Sequence, residues 1–321
     1  ASWSQVTSGI PDDYPVRTVR EDPEHEDLVF AGTEFGLFVS MDGGGSWQSL
    51  QQNLPITPVT GMRVAHNDLI ISTQGRSFWI LDDMTPLREI AEGATDNSAH
   101  LFTPRPAYRV NNGGSGGGLA ELAPDAVPQG GLIHYWLSDD VESVTLEVLD
   151  GQGMVARGFA SDSATAADFR TGRIPASAGL NRVAWDLFYP GPRVPEDAVI
   201  WGYTGGIKAP PGTYQVRLTV DGAVVGETSM ELRPDPRIPE VTQADYDEQL
   251  RVGLAIRDSI DQVTTAIETL ISVREQVETV MASAAIANQD QALQPLADTL
   301  SENARVVHEE LMQTSNQSGQ D

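Results

Sequence analysis

The stretch Ser40-Met41-Asp42-Gly43-Gly44-Gly45-Ser46-Trp47 decides how the first third of this chain is interpreted. It follows a short run of β-forming residues at Gly36–Ser40, and its three consecutive glycines favour a tight turn. Other short β runs, Val16–Arg20 and Leu28–Thr33, precede it and are separated by turn residues. The sequence therefore predicts a series of antiparallel strands joined by short turns.

This pattern of strands occurs twice within the first 90 residues. Asp27–Thr33 reads DLVFAGT and is echoed by Asp68–Thr73, which reads DLIIST and begins 41 residues later. Leu37–Ser40 is echoed at the same interval by Phe78–Leu81. A period of about 40–45 residues, with about four short strands in each unit, is typical of the blades of a β-propeller.

The stretch at residues 40–47 fits the pattern S-x-D-x-G-x-[ST]-W and resembles an Asp-box, the BNR repeat named for bacterial neuraminidases. The resemblance implies a hairpin between the last two strands of a blade, in which the aspartate accepts turn amides and the tryptophan packs back. The opening Ser2-Trp3-Ser4 matches Ser46-Trp47-Gln48 and resembles the end of a further copy. The residues of the predicted structural motif are Ser40, Asp42, Gly44, Ser46 and Trp47.

A wider resemblance extends from Gly32-Thr33-Glu34 through the stretch 75–83, which reads GRSFWILDD. It is similar to the closing blades of bacterial sortilin-like propeller proteins, a family often labelled glycosyl hydrolases. In that family an Ig-like sandwich follows the propeller, and the stretch 209–214, which reads APPGTY, resembles its final hairpin. The resemblance implies that this chain is the C-terminal portion of a secreted or periplasmic bacterial protein.

Four segments follow from composition and period. Residues 1–110 are predicted to be terminal blades, and residues 111–131 a linker rich in glycine and proline. Residues 132–234 alternate apolar and polar positions, which predicts an Ig-like sandwich of the flagellar-hook-cap or fibronectin type III kind. Apolar residues recur at steps of three and four over residues 240–314 and predict a helical hairpin core. The predicted fold class is therefore mainly β: a partial Asp-box propeller of about two blades, a sandwich and a C-terminal α-helical hairpin.

Charge and composition exclude several classes of partner. The 321 residues include 46 acidic and 20 basic side chains, a formal charge of −26 that repels nucleic acid. No apolar run is long enough for a membrane span. There are no cysteines, and the five histidines never recur at helical spacing, so no metal site or cofactor is expected. Calcium remains possible because carboxylates and loop carbonyls are plentiful.

Candidate binding residues follow from the propeller interpretation, because the turns between strands and between blades lie where propellers bind ligands. A carboxylate, a guanidinium and an aromatic ring together can hold a sugar or a peptide. Exposed aromatic residues in the sandwich loop would also suit sugar stacking. The candidates are Asp13, Tyr14, Glu34, Phe35, Gln74 and Arg76 in the blades, with Asp12 beside them, and Trp201 and Tyr203 in the sandwich.

Three functions remain open from the sequence. The first is a non-catalytic segment that binds glycans or peptides or acts as a scaffold, with carbohydrate or peptide as its ligand. The second is a glycoside hydrolase whose catalytic carboxylates lie on the propeller face, mostly outside this chain; Asp42 is assigned to the turn rather than to catalysis. The third is an assembly module. Fewer than two blades leave open strand edges, so we expect further blades or another copy of the chain to cover them.

Overall fold

The computed structural model describes residues 2, 4–110, 130–195, 198, 202, 204–286 and 290–312. This described part is mainly β and ends in a helical hairpin, which confirms the predicted class. The chain divides into two compact units. The first contains residues 1–187 and 211–236, and the second contains residues 188–210 and 237–321.

Within the described ranges, the first sheet is a four-stranded antiparallel meander in chain order. A two-residue turn joins Thr33 to Gly36 between the second and third strands, and the Asp-box stretch joins the third to the fourth. The predicted β runs therefore lie in one sheet. Its strands are β1 (Val16–Asp22), β2 (His25–Thr33), β3 (Gly36–Ser40) and β4 (Gln48–Ser49).

The second sheet has three described strands, again antiparallel and in chain order. They are β5 (Val59–Ala65), β6 (Asp68–Thr73) and β7 (Phe78–Leu81). The short helix α1 (Thr85–Ala91) follows. Phe30 and Leu37 of the first sheet, Leu69 and Ile71 of the second and Leu87 of α1 belong to one buried cluster. The sequence repeat thus becomes two sheets that share a hydrophobic core, which dominates their stability.

A polar network centred on Arg88 of α1 ties the helix to both sheets. Its Nε donates to Asp22 Oδ2 at 3.1 Å, and its Nη1 donates to Glu24 Oε2 at 2.7 Å and to Asn67 Oδ1 at 2.5 Å. The Asn67 amide also donates to Asp83 Oδ1 at 2.8 Å. Because the Asp22 side chain is fully buried, the guanidinium compensates a charge that has no access to water.

Two further sheets follow in the first unit. Among the described strands, one sheet has the order β13-β10-β8 and the other the order β12-β11-β14-β15-β9. Their strands and one short helix are β8 (Ala99–Leu101), β9 (Ala107–Tyr108), β10 (Gly131–Leu137), β11 (Val144–Leu149), β12 (Val155–Ala160), α2 (Ser163–Asp168), β13 (Gly179–Trp185), β14 (Gly212–Val220) and β15 (Ala223–Arg233).

The two sheets face each other across an aromatic core. The rings of Trp185 on β13 and Tyr214 on β14 meet edge to face with centroids 5.0 Å apart. The Asp221-Gly222 turn joins β14 to β15, with both residues at positive φ. Strands β8 and β9 lie before residue 110 yet pair with β10 and β15. The Ig-like topology and the predicted domain boundaries stay predictions.

The second unit contains α3 (Gln243–Ile286) and α4 (Asp290–Leu311). A capping box lies at the start of α3, where Thr242 N donates to Asp245 Oδ2 at 2.8 Å. Burial of the predicted apolar stripes is only partial, and α4 is half as long as α3. Ile267 is buried, whereas Ile256 is 57% exposed and Leu296 is 70% exposed. The prediction of a buried stripe therefore holds for part of α3, whereas the described residues that α4 buries are Ala304 and His308.

Candidate functional site

The Asp-box carboxylate is used within its own turn. Asp42 Oδ1 accepts hydrogen bonds from Ser40 Oγ at 2.7 Å and from Ser46 N at 2.8 Å, and Oδ2 accepts from Ser46 Oγ at 2.7 Å. Gly43 and Gly44 adopt positive φ in the same turn. Trp47 packs beneath it and donates from Nε1 to the carbonyl of Val6 at 2.8 Å. These contacts suit a turn-building role for Asp42.

We expect the Asp42 carboxyl to titrate far below an ordinary aspartate. The Ser40 hydroxyl, then the Ser46 amide and hydroxyl, stabilise the carboxylate and lower the pKa of Asp42 from 3.8 to about 2. Its stabilisation is therefore complete above pH 4 and is lost as pH falls through 2. Carboxyl carbon NMR should give a midpoint near 2, and Ser40→Ala should move it towards 3.8. An unmoved midpoint in that variant would contradict this account of the turn.

Four residues come together at the turn between β2 and β3. The rings of Tyr14 and Phe35 pack with centroids 4.6 Å apart at an interplanar angle of 46°. Arg17 forms an ion pair with Glu34, and the Glu34 amide donates to the carbonyl of Pro15 at 3.1 Å. Phe35 is 41% exposed. An aromatic pair and an ion pair are thus presented side by side on the surface.

The turn between β6 and β7 holds the other two blade candidates. Gln74 is exposed, and its backbone is fixed because its N–H donates to the carbonyl of Pro58 at 2.9 Å. The exposed Arg76 accepts at its carbonyl from Trp79 Nε1 at 2.8 Å. In the part of the chain that the structure describes, neither residue forms a hydrogen bond or ion pair with Glu34 or Phe35. Their backbones are therefore held by contacts of their own.

Strand register places both turns at the same end of their sheets. Thr33 pairs with Val16 beside the first turn, and Thr73 pairs with Val59 beside the second. Val59 in turn lies against Gly32, next to Thr33. We define the turn face as Asp13, Tyr14, Arg17, Glu34, Phe35, Gln74 and Arg76. Asp13 is exposed at the entry to this face, next to Tyr14.

A second group of titratable side chains lies at the corner after β7. Arg105 Nη1 lies 2.9 Å from Asp68 Oδ1, which also accepts from the Asp83 amide at 2.9 Å. Burial, and then the charge of Asp68, raise the pKa of Asp82. Burial also lowers the pKa of His134, whose Nδ1 is 3.8 Å from Asp83 Oδ2. The contacts join the corner to β6 and β10, which indicates a structural role.

The remaining candidates fall elsewhere. Trp201 and Tyr203 lie outside the described residues. Across the described ranges, no three histidine, cysteine, aspartate or glutamate residues are grouped closely enough to hold a metal ion. None of the helices described combines the length and the hydrophobicity that a membrane-crossing helix needs.

Two residues near the turn face were not anticipated from the sequence. Arg17 pairs with Glu34 because β1 runs antiparallel to β2, so residues after Val16 meet residues around Thr33. If β1 and β2 are assumed to form an antiparallel hairpin, a search for opposite charges on neighbouring residues of the two strands could have identified this ion pair. Phe78 is 75% exposed, although its repeat counterpart is a buried leucine.

Comparison with known proteins leaves the family unassigned. No protein-family model and no curated protein matches the chain. Similar solved structures include the BSP domain of a biofilm-associated protein, with 7% identity and a TM-score of 0.21 over 69% of this chain and 30% of that one. The extracellular domain of a hybrid two-component system from B. thetaiotaomicron has 10% identity and a TM-score of 0.19, over 71% and 26% of the two chains. Likeness at these scores carries no argument about family, ligand or location, so the sortilin-like resemblance is not confirmed.

Proposed function

We propose that the turn face binds a glycan or peptide, and that the chain is a non-catalytic binding segment of an extracytoplasmic Asp-box propeller protein. The observation that carries the proposal is the packing of Tyr14 against Phe35 beside the Arg17–Glu34 ion pair. The sequence resemblance supports the propeller and the secreted or periplasmic location. The binding role itself rests on the geometry of this face.

The aromatic pair supplies the apolar part of such a site. Phe35 remains 41% exposed although Tyr14 packs against one side of it, so its ring offers apolar area to a ligand. Tyr14 also contacts Phe38 edge to face, with centroids 6.0 Å apart, and Phe38 is buried in the first sheet. Because Phe35 packs on Tyr14, and Tyr14 packs on the buried Phe38, the Phe35 ring is already restrained before a ligand binds. This restraint reduces the entropic cost of association.

The Arg17–Glu34 ion pair supplies the polar groups that would orient a ligand. Arg17 and Glu34 are partly exposed, so they can exchange some of their mutual contact for hydroxyl or amide groups of a ligand. Gln74 and Arg76 stand at the same end of the neighbouring sheet and extend the polar surface. Neutral or mildly acidic glycans and extended peptides match this mixture of stacking and hydrogen-bonding groups better than large apolar ligands do.

Glycan and peptide arrays probed with the full chain test the proposal. We expect a defined set of ligands, and a loss of affinity of about tenfold for Phe35→Ala, because one exposed ring contributes on the order of 1 kcal/mol. Tyr108→Ala is the matched control, since Tyr108 is an exposed aromatic on β9 in a different sheet.

Two outcomes would overturn the proposal. One is the absence of any ligand in both arrays at high protein concentration. The other is turnover of aryl glycosides that disappears in Glu34→Gln, since this would make the face a hydrolase site instead.

A further inference from the structure

A groove of about 280 Å³ lies between the end of α3 and the start of α4. Val280 lines it from α3, and Leu293, Leu296 and Leu300 line it from α4. None of the described residues that line this helix groove is charged, and the polar member among them is Gln276. The helix groove is therefore an apolar surface that gains stability when it is removed from water.

The apolar side chains of the helix groove are exposed although they lie between two packed helices. Leu296 is 70%, Val280 is 56% and Leu300 is 47% exposed, whereas the small residues Ala284 and Ala304 are buried. Among the described helices and strands, α4 is the one that packs extensively along α3. Two helices alone cover only part of each other's apolar stripe, so the uncovered parts of both stripes form the groove.

The described residues that flank the helix groove are uncharged as well. Side chains three or four positions apart share one face of a helix, which extends the row of Gln276 on α3 and the row of Leu296 on α4. Gln276 Nε2 donates to Ser272 Oγ at 3.2 Å along the first row. The exposed members of the two rows beside the groove are Ser272, Gln276, Thr279 and Ser283 on α3, and Ala292, Leu296, Thr299 and Asn303 on α4.

The ion pairs of α4 lie on its opposite face. Arg305 pairs with Glu302 and with Glu309 at 2.6 Å each, and Glu302 follows Leu300 by two positions, a rotation of about 200°. The chain carries a net charge of −26, so two copies repel each other wherever their carboxylates meet. The helix groove is a face through which two copies can approach without bringing carboxylates together.

The size of this face suits a second hairpin better than a small molecule. The 22 residues of α4 extend over about 33 Å, and two helices side by side are about 20 Å wide. The face therefore covers roughly 650 Å², close to the ~800 Å² per partner of a standard protein interface. A small apolar ligand that filled the groove of about 280 Å³ would leave much of the exposed stripe in water.

We propose that the helix groove packs against the helix groove of a second copy of this chain, so that the two hairpins form a four-helix bundle. Such a contact uses the same surface on both copies and closes with two-fold symmetry. Val280, Leu296 and Leu300 of each copy then form the core of the bundle, while Arg305 and its partners stay on the outside. The contact does not depend on ligand binding at the turn face.

Light scattering of the full chain over a range of concentrations tests the proposal. We expect a monomer that converts to a dimer as the concentration rises. Leu296→Lys and Val280→Lys should each raise the dissociation constant at least tenfold, because the new ammonium group would be buried without a partner. Both side chains are more than half exposed in the single chain, so both variants should fold. Circular dichroism checks that their helix content is unchanged.

Ile256→Lys is the matched control. Ile256 is 57% exposed on the same helix, which is nearly the exposure of Val280, and it lies about 36 Å before Val280 along α3. The dimer should therefore be unchanged in this variant. Phe35→Ala should also leave the dimer unchanged, which separates this proposal from the binding role of the turn face.

The salt dependence of the dimer provides a second test. Raising sodium chloride from low salt to about 0.5 M should lower the dissociation constant, because salt screens the repulsion between two acidic copies. The contact itself contains no described charge that salt could weaken. A dimer that dissociates as salt is added would show that ion pairs hold it together, which contradicts packing through the helix groove.

Three further results would overturn the proposal. The first is a monomer at every concentration. The second is a dimer that neither Leu296→Lys nor Val280→Lys weakens, since this would place the contact elsewhere on the chain. The third is a monomer that binds an amphipathic helical peptide and loses that binding in Leu296→Lys, which would assign the helix groove to a different partner.

Discussion

Replacing Arg88 by methionine should lower the free energy of unfolding by about 3–5 kcal/mol. The substitution leaves Asp22, whose side chain is fully buried, without the guanidinium that lies 3.1 Å from its carboxylate. Asn67 loses the donor to its Oδ1 in the same step. Methionine retains most of the side-chain volume, so the loss should come from the uncompensated charge rather than from a cavity. Urea unfolding followed by circular dichroism measures the change.

The control for Arg88 lies on α4. Arg305 pairs with Glu302 and Glu309 on the surface, and such exposed pairs contribute little to stability. Arg305→Met should therefore leave the unfolding midpoint nearly unchanged. The double variant Arg88→Met/Asp22→Asn should recover part of the lost stability because the buried charge is gone. A single Arg88→Met variant as stable as the parent would show that Asp22 is not compensated by this contact.

Replacing Trp185 by alanine should cost about 3–5 kcal/mol, the range for removing a large aromatic side chain from a core. Trp185 is fully buried on β13, packs edge to face on Tyr214 and covers the space beside Gly131. No neighbour can fill a void of that size without moving a strand, so the cavity persists. Urea unfolding of the full chain again provides the measurement.

Two variants separate packing from simple loss of a residue in β13. Trp185→Phe should cost clearly less than Trp185→Ala, since it retains a ring against Tyr214. Leu180→Ala on the same strand should have a small effect, because Leu180 is 44% exposed. Equal losses for Leu180→Ala and Trp185→Ala would contradict the assignment of Trp185 to the core between the two sheets.

Local patterns in the chain were enough to find most of the strands. The two DL-type runs became β2 and β6, and their partners became β3 and β7, within a residue or two of the predicted bounds. Alternation of apolar and polar residues, and turn residues between them, are set by neighbours in the sequence. The capping box at Thr242 has the same local origin.

Those local patterns could not predict contacts between segments that are distant in the sequence. The Arg17–Glu34 ion pair depends on the register between two strands, and a shift of one residue would separate the two side chains. The placement of β8 and β9 in the later sheets also depends on partners far along the chain. Short strands carry too few residues to specify such partners from composition.

The amino-acid order alone defines the turn at Asp42, the strand repeat and the two helices, because each depends on interactions within a few residues. The folded chain is needed to learn that Tyr14 and Phe35 share a surface, that Arg88 neutralises Asp22, and that β7 lies at the edge of its sheet among the described strands. These features arise from burial and pairing between segments tens of residues apart. Their energies depend on which groups are removed from water together, and that is a property of the packed molecule.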